Sequence, residues 1–113
     1  MALRIEPSTA EFPEAGGQLQ HTVVNASGAR IAFKVKCSDN NLFTVRPVFA
    51  LVDPGQAIGV DVTRKAGIAK QDKLVFQYIE VTAEEHDPQA PFRQPQQYHE
   101  VTLPLAVSVS NEP

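Results

Sequence analysis

The sequence predicts an all-β protein, a seven-stranded immunoglobulin-like β-sandwich, and three observations carry that prediction. Apolar residues recur at every second position in several short runs, the pattern of strands with one face buried. Nine prolines and six glycines are scattered through the 113 residues, and no long amphipathic helix can be drawn between them. Turn signals separate the runs at the short spacing of a sandwich. At 42% hydrophobic and 20% charged, the composition is that of one soluble domain, expected over residues 1–113. Roughly two-thirds of the unfolded surface of such a chain can be buried, so no disulfide or metal is needed to fold it.

The elements follow in order. Leu3 and Ile5 make a short first strand stopped at Pro7. Ser8 to Glu14 continues extended, with Pro13 suited only to an edge or a kink. Gly16-Gly17 turns the chain into the alternation of Leu19, His21 and Val23. Asn25-Ala-Ser-Gly28 forms the next turn. Ile31, Phe33, Val35 and Cys37 then alternate strictly with Ala32, Lys34, Lys36 and Ser38. One set goes inward and the other, with its two lysines, faces outward. Asp39-Asn-Asn41 breaks that strand, and Phe43 and Val45 begin a run that ends at Pro47. Asp53-Pro54-Gly55 is a strong turn. Ile58, Val60 and Val62 form another strand. Arg64 to Asp72 reads as a polar loop or single helical turn. Lys73–Val81 places Leu74, Phe76 and Tyr78 on one side. Thr82 to Gln97 reads as a long exposed loop. The last strand, Val101–Val109, sets Val101, Leu103, Leu105, Val107 and Val109 inward. Tryptophan is absent and cysteine is single, so the Cys–Trp–Cys signature of antibody domains is missing.

The net charge of −3 hides a split. Residues 30–73 hold eight basic side chains (Arg30, Lys34, Lys36, Arg46, Arg64, Lys65, Lys70 and Lys73) against four acids, a balance of +4. The remainder carries nine acids against Arg4 and Arg93, a balance of −7. Such a chain suits an acidic partner or its own copy. It is too acidic overall for a dedicated nucleic-acid binder. One cysteine excludes an internal disulfide and points to a reducing, cytoplasmic home. Neither a secretion signal nor an apolar run long enough to span a membrane is evident.

Catalysis finds no support. Cys37 lies in phase with Ile31, Phe33 and Val35, the position of a small buried hydrophobe and not of a nucleophile. No nucleophile-elbow or phosphate-binding glycine motif occurs. Of the histidines, His21 is in phase with Leu19 and Val23 and reads as a hydrogen-bonded core residue. Glu84-Glu85-His86-Asp87 reads as a solvated acidic loop, and His99 stands apart from any metal-ligand cluster. No cofactor is expected.

Five segments then resemble the major sperm protein domain: Asn25–Lys36 (NASGARIAFKVK), Val45–Pro47 (VRP), Leu51–Gly55 (LVDPG), Asp72–Gln77 (DKLVFQ) and Leu103–Leu105 (LPL). They fall in family order and at family spacing across nearly the whole chain. The resemblance implies the same seven-stranded sandwich and a non-enzymatic role among protein partners. In one branch of that family, nematode sperm proteins dimerise and build the filaments of amoeboid crawling. In the other, membrane-anchored VAMP-associated proteins bind acidic peptides containing two phenylalanines. With no coiled coil or membrane anchor in these residues, the chain is similar to a small sperm-specific member of the first branch. By resemblance, Lys36 and Lys73 keep the basic positions of the peptide site. Cys37 and Ser38 replace its threonine pair, and Val75 stands where a methionine lines the phenylalanine pocket. Lys34, Lys36, Ser38, Lys73 and Val75 are therefore the candidate partner-binding residues. Self-association, as a homodimer or higher assembly in sperm cytoskeleton, motility or its regulation, is the expected function. An adaptor for acidic phenylalanine-containing peptides is the alternative.

Overall fold

A computed structural model describes residues 2–108. Nine strands appear there: β1 (Leu3–Glu6), β2 (Ala10–Pro13), β3 (Gly17–Asn25), β4 (Arg30–Cys37), β5 (Phe43–Arg46), β6 (Phe49–Val52), β7 (Ala57–Arg64), β8 (Asp72–Val81) and β9 (His99–Ser108). They form a four-stranded sheet in the order β1-β3-β7-β5 and a five-stranded sheet in the order β2-β9-β8-β4-β6. The all-β, immunoglobulin-like sandwich stands, but with nine strands and not seven. The extended stretch after Pro7 is a strand in its own right, because the chain leaves β3 there and crosses to the other sheet. β2 then runs parallel to β9, with Ala10 opposite Leu105. The second addition is β6, which pairs with β4 through Leu51 opposite Ala32 and Phe49 opposite Lys34. Pro13 ends an edge strand, where its missing N–H costs nothing. Cis peptide bonds occur at Glu6-Pro7 and Arg46-Pro47. Val109 lies outside the described residues.

Between the sheets, Leu3, Phe12, Val23, Ile31, Phe33, Val60, Val62, Leu74, Phe76, Leu103 and Leu105 are buried. These are the period-two positions of their strands, each worth about 1.5–3 kcal/mol on burial. Phe12 meets Phe43 edge-on at 5.6 Å, and Phe33 meets Phe76 at 5.8 Å. Cys37 is half-buried and packs against this core. His21 is buried, with Nε2 hydrogen-bonded to the Thr9 carbonyl at 2.9 Å.

The turn after β3 is more than a turn. Asn25 is fully buried. Its Nδ2 donates to the carbonyls of Ala29 and Val52, each at 2.8 Å. Its Oδ1 accepts from the Ser27 N–H at 2.9 Å and the Ser27 hydroxyl at 2.7 Å. One amide thereby ties the β3–β4 connection to the end of β6.

The stretch from Thr82 to Gln97 is a loop with most of its residues exposed, as the sequence suggests, but it is anchored at several points. It contains a 3-10 turn, Ala90–Arg93, with Pro91 buried. Phe92 stacks on Tyr98 at 4.9 Å and meets Phe49 edge-on at 5.9 Å. The Tyr98 hydroxyl donates toward the Pro91 and Gln94 carbonyls at 2.7 and 2.9 Å. Arg30 reaches over to the Glu85 carbonyl at 2.6 Å. Proline and aromatic residues in this polar stretch are its anchors, and they fold it back against β6.

Candidate partner-binding face

The register brings all five candidate residues onto the outer face of the β4–β8 pair. Lys36 lies opposite Val75 and Lys34 opposite Gln77. Directly opposed residues of an antiparallel pair share a face. Ser38, one residue past β4, extends the row. Its N–H donates to the Lys73 carbonyl at 3.1 Å, and the Lys73 N–H returns a bond to the Ser38 hydroxyl oxygen at 3.0 Å. Val75 continues across to Thr102 on β9. β4 lies between β8 and β6, and β6 pairs along it as far as Lys34, opposite Phe49, so that Lys36 stands past the end of β6.

The lysines differ in their surroundings. The Lys34 ammonium sits 5.6 Å from the centre of the Phe49 ring, a cation–π contact that holds it against the aromatic cluster. Lys36 and Lys73 are exposed, and neither has an ion-pair partner among the described residues. Beside them, the Ser38 hydroxyl donates to Asp72 at 2.7 Å. Lys70 bridges Asp72 at 2.7 Å and Asp39 at 3.0 Å. The hydrogen bond from Lys70 holds the Asp39 carboxyl below its usual range, and those to Asp72 and Asp39 raise the Lys70 ammonium. The two carboxylates are thus engaged by Lys70, leaving Lys36 and Lys73 as the outward charges of the ledge. A cationic ledge with an apolar strip at Val75 can hold carboxylates and an apolar side chain. It offers no reacting group. Burial pushes the Cys37 thiol up, which keeps it protonated and a poor nucleophile. No cluster of three or more metal-ligating side chains occurs among the described residues.

Arg64 overturns part of the charge reading. Counted in the basic segment and placed at the start of a polar loop, it is in fact 2% exposed. Its guanidinium donates to five backbone carbonyls: Pro13 at 3.3 Å, Glu14 at 3.1 Å, Lys65 at 3.3 Å, Gly67 at 3.2 Å and Ile68 at 2.8 Å. Phe43 lies 6.0 Å from it. The sequence carried a signal for this, since Arg64 continues the inward phase of Val60 and Val62 on β7. Gly16, with φ +93° and room for no side chain against the Arg64 carbonyl, closes the same corner.

Two face-packed sheets with a split first strand place the chain among immunoglobulin-like β-sandwich domains. Comparison with known proteins narrows the class. The profile of the MSP (Major sperm protein) domain matches residues 2–101, and the chain belongs to that family. It is 44% identical over 106 residues to sperm-specific class P protein 31 of Caenorhabditis elegans, covering 94% of this chain and 99% of the relative. Among solved structures it is similar to WR4, a C. elegans MSP family member, with a TM-score of 0.91 at 40% identity over 95% of this chain and 98% of that one. SSP-19, an MSP-domain protein like family member of the same organism, gives 0.87 at 36% identity over 93% and 98%. No helix among the described residues is long and apolar enough to cross a membrane.

Proposed function

We propose that residues 1–113 act as one non-enzymatic protein-interaction domain of nematode sperm, cytoplasmic, and working by self-association in the sperm cytoskeleton, its motility or its regulation. The observation that carries this reading is the likeness, over nearly the full length of both chains, to a sperm-specific class P protein. With the buried Arg64 set aside, residues 30–73 still hold seven basic side chains against four acids, opposite a −7 remainder, and this separation supports contact between copies, oriented by charge and weakened by salt. The test is a concentration series of mass in solution at two salt levels. Mass should climb above 12.3 kDa with concentration, more steeply at low salt. A fixed monomer mass at high concentration and low salt overturns it.

A second reading is favoured by the meeting of Lys36, Lys73 and Val75 on one face. There an acidic, phenylalanine-bearing peptide would set its carboxylates on the lysines and its ring along Val75, beside Lys34 and Ser38. A Lys36→Glu, Lys73→Glu double variant should lose such a peptide. Unchanged affinity removes the adaptor reading and leaves self-association untouched.

A further inference from the structure

The five-stranded sheet has a gap along β9. β2 covers β9 only from Leu105 to Ser108. The stretch from His99 to Pro104 pairs with β8 on one side and with no strand on the other, where β1 borders it only across a cleft, because the chain is crossing between sheets at Pro7–Thr9.

The register fixes which backbone groups face that gap. Ser38 and Lys73 exchange bonds across β4–β8, so the N–H and C=O of Lys73 point toward β4. By antiparallel alternation those of Val75 and Gln77 do the same. Their β9 partners, Pro104, Thr102 and Glu100, therefore turn their backbone groups away from β8 and into the gap. Proline has no N–H to offer there. Thr102 and Glu100 have both groups, both residues are exposed, and neither has a strand paired to it on that side. Beside this edge lies a cleft of about 410 Å³ whose apolar lining is Leu3, Ile5 and Val101, with Arg4 and Glu6 at its rim. On the outer side stands the Glu100 carboxylate, held by the Gln77 amide at 2.9 Å.

We propose that this gap is a strand-addition site for an extended segment of another polypeptide, in line with β2 and hydrogen-bonded to Glu100 and Thr102. Alternation sends every second guest side chain into the cleft, so those must be small and apolar. The others lie alongside Glu100 and Thr102, where the Glu100 carboxylate favours lysine or arginine. Backbone bonds supply affinity and the alternating side chains supply choice. The length is bounded: β2 begins opposite Leu105, and Pro104 withholds a donor at that end. This site adjoins the lysine ledge across β8, since Thr102 lies opposite Val75 and Pro104 opposite Lys73, but it uses none of those lysines, and it stands whether or not the chain self-associates.

The probe is an end-blocked hexapeptide alternating lysine and valine, with alternating glutamate–valine and lysine–proline peptides as controls. In the free protein, amide hydrogen exchange should be fast at Glu100 and Thr102 and slow at Val101 and Leu103, which pair with β8. The lysine–valine peptide should slow exchange at the first two and bind at least tenfold tighter than either control. Thr102→Pro removes one donor from the open edge without touching the β8 ladder, and should weaken that peptide about tenfold. Thr102→Val keeps the donor and should retain binding. Slow exchange at Thr102 in the free protein overturns the proposal, as does equal binding of the lysine–proline control. Protection that rises with protein concentration and no peptide overturns it too, assigning the edge to a second copy.

Discussion

Arg64 and the pair Lys36 and Lys73 carry the same formal charge and lie in the same basic segment of the chain, yet the fold uses them oppositely. Arg64 is buried at the end of β7, and its two terminal nitrogens donate to backbone carbonyls at Pro13–Glu14 and in the β7–β8 connection. The lysines stand in water on the outer face of the other sheet with their donors free. The difference lies in what each side chain can satisfy. A planar fork of five N–H groups can answer several carbonyls at once, whereas an ammonium is a strongly hydrated point charge. A charge count along a sequence therefore overstates the surface available to a partner.

The largest expected effect tests the buried side of that contrast. Arg64→Met should cost about 3 kcal/mol in denaturant unfolding, because it strands carbonyls at a closed corner. Arg64→Lys should recover only part of it, since one ammonium cannot reach carbonyls of both segments. A loss below ~1 kcal/mol for Arg64→Met would break the contrast. Asn25→Ala should follow at about 2 kcal/mol, since it takes the side-chain donor from the Val52 carbonyl and the acceptor from the Ser27 N–H. On the exposed side, Lys36→Glu with Lys73→Glu should shift stability by under ~0.5 kcal/mol, while the fold, read by far-UV circular dichroism, stays the same.

The smallest effect concerns Lys70, which stands between the two cases as an exposed but paired cation. Asp39 is held below its ordinary value of 3.8 by the Lys70 hydrogen bond. Its contribution to stability is therefore full above that value and fades as pH falls through the lower folded value. Lys70 is raised above 10.5, chiefly by its hydrogen bond to Asp72 and then by that to Asp39. Its contribution is full below that value and is lost as pH climbs through the raised one. Asp39→Asn should flatten the acid limb of a stability–pH curve. An unchanged acid limb would class Lys70 with the free lysines.

Strands with a dry face and a wet face were legible from alternation alone, as in Ile31-Phe33-Val35 on β4 and Leu74-Phe76-Tyr78 on β8. β6 was not. Its outward residues Phe49 and Leu51 are apolar, and Phe49 meets Phe92 from a segment more than 40 residues further along the chain. Period two vanishes when both faces of a strand are covered. Ala32 is buried on the outward side of β4, where the register sets it between Leu51 and Ile79. The candidate ledge was legible because Lys34, Lys36 and Ser38 share one phase, and because the resemblance supplied Lys73 and Val75 from a distant strand. Its depth of charge was not. Nothing local marks Lys70 as the bridge between Asp39 and Asp72.

The side-by-side run of β2 and β9 has a mechanical consequence. They point the same way, Ala10 to Pro13 along Leu105 to Ser108. Tension drawn between the two ends of the sandwich pulls these neighbours past each other and strains their whole ladder at once. An antiparallel hairpin tugged at its open end would instead peel one rung at a time. Stretching single molecules by those ends should show one abrupt high-force rupture before any gradual unravelling. Early low-force peeling would mean that this seam does not bear the pull.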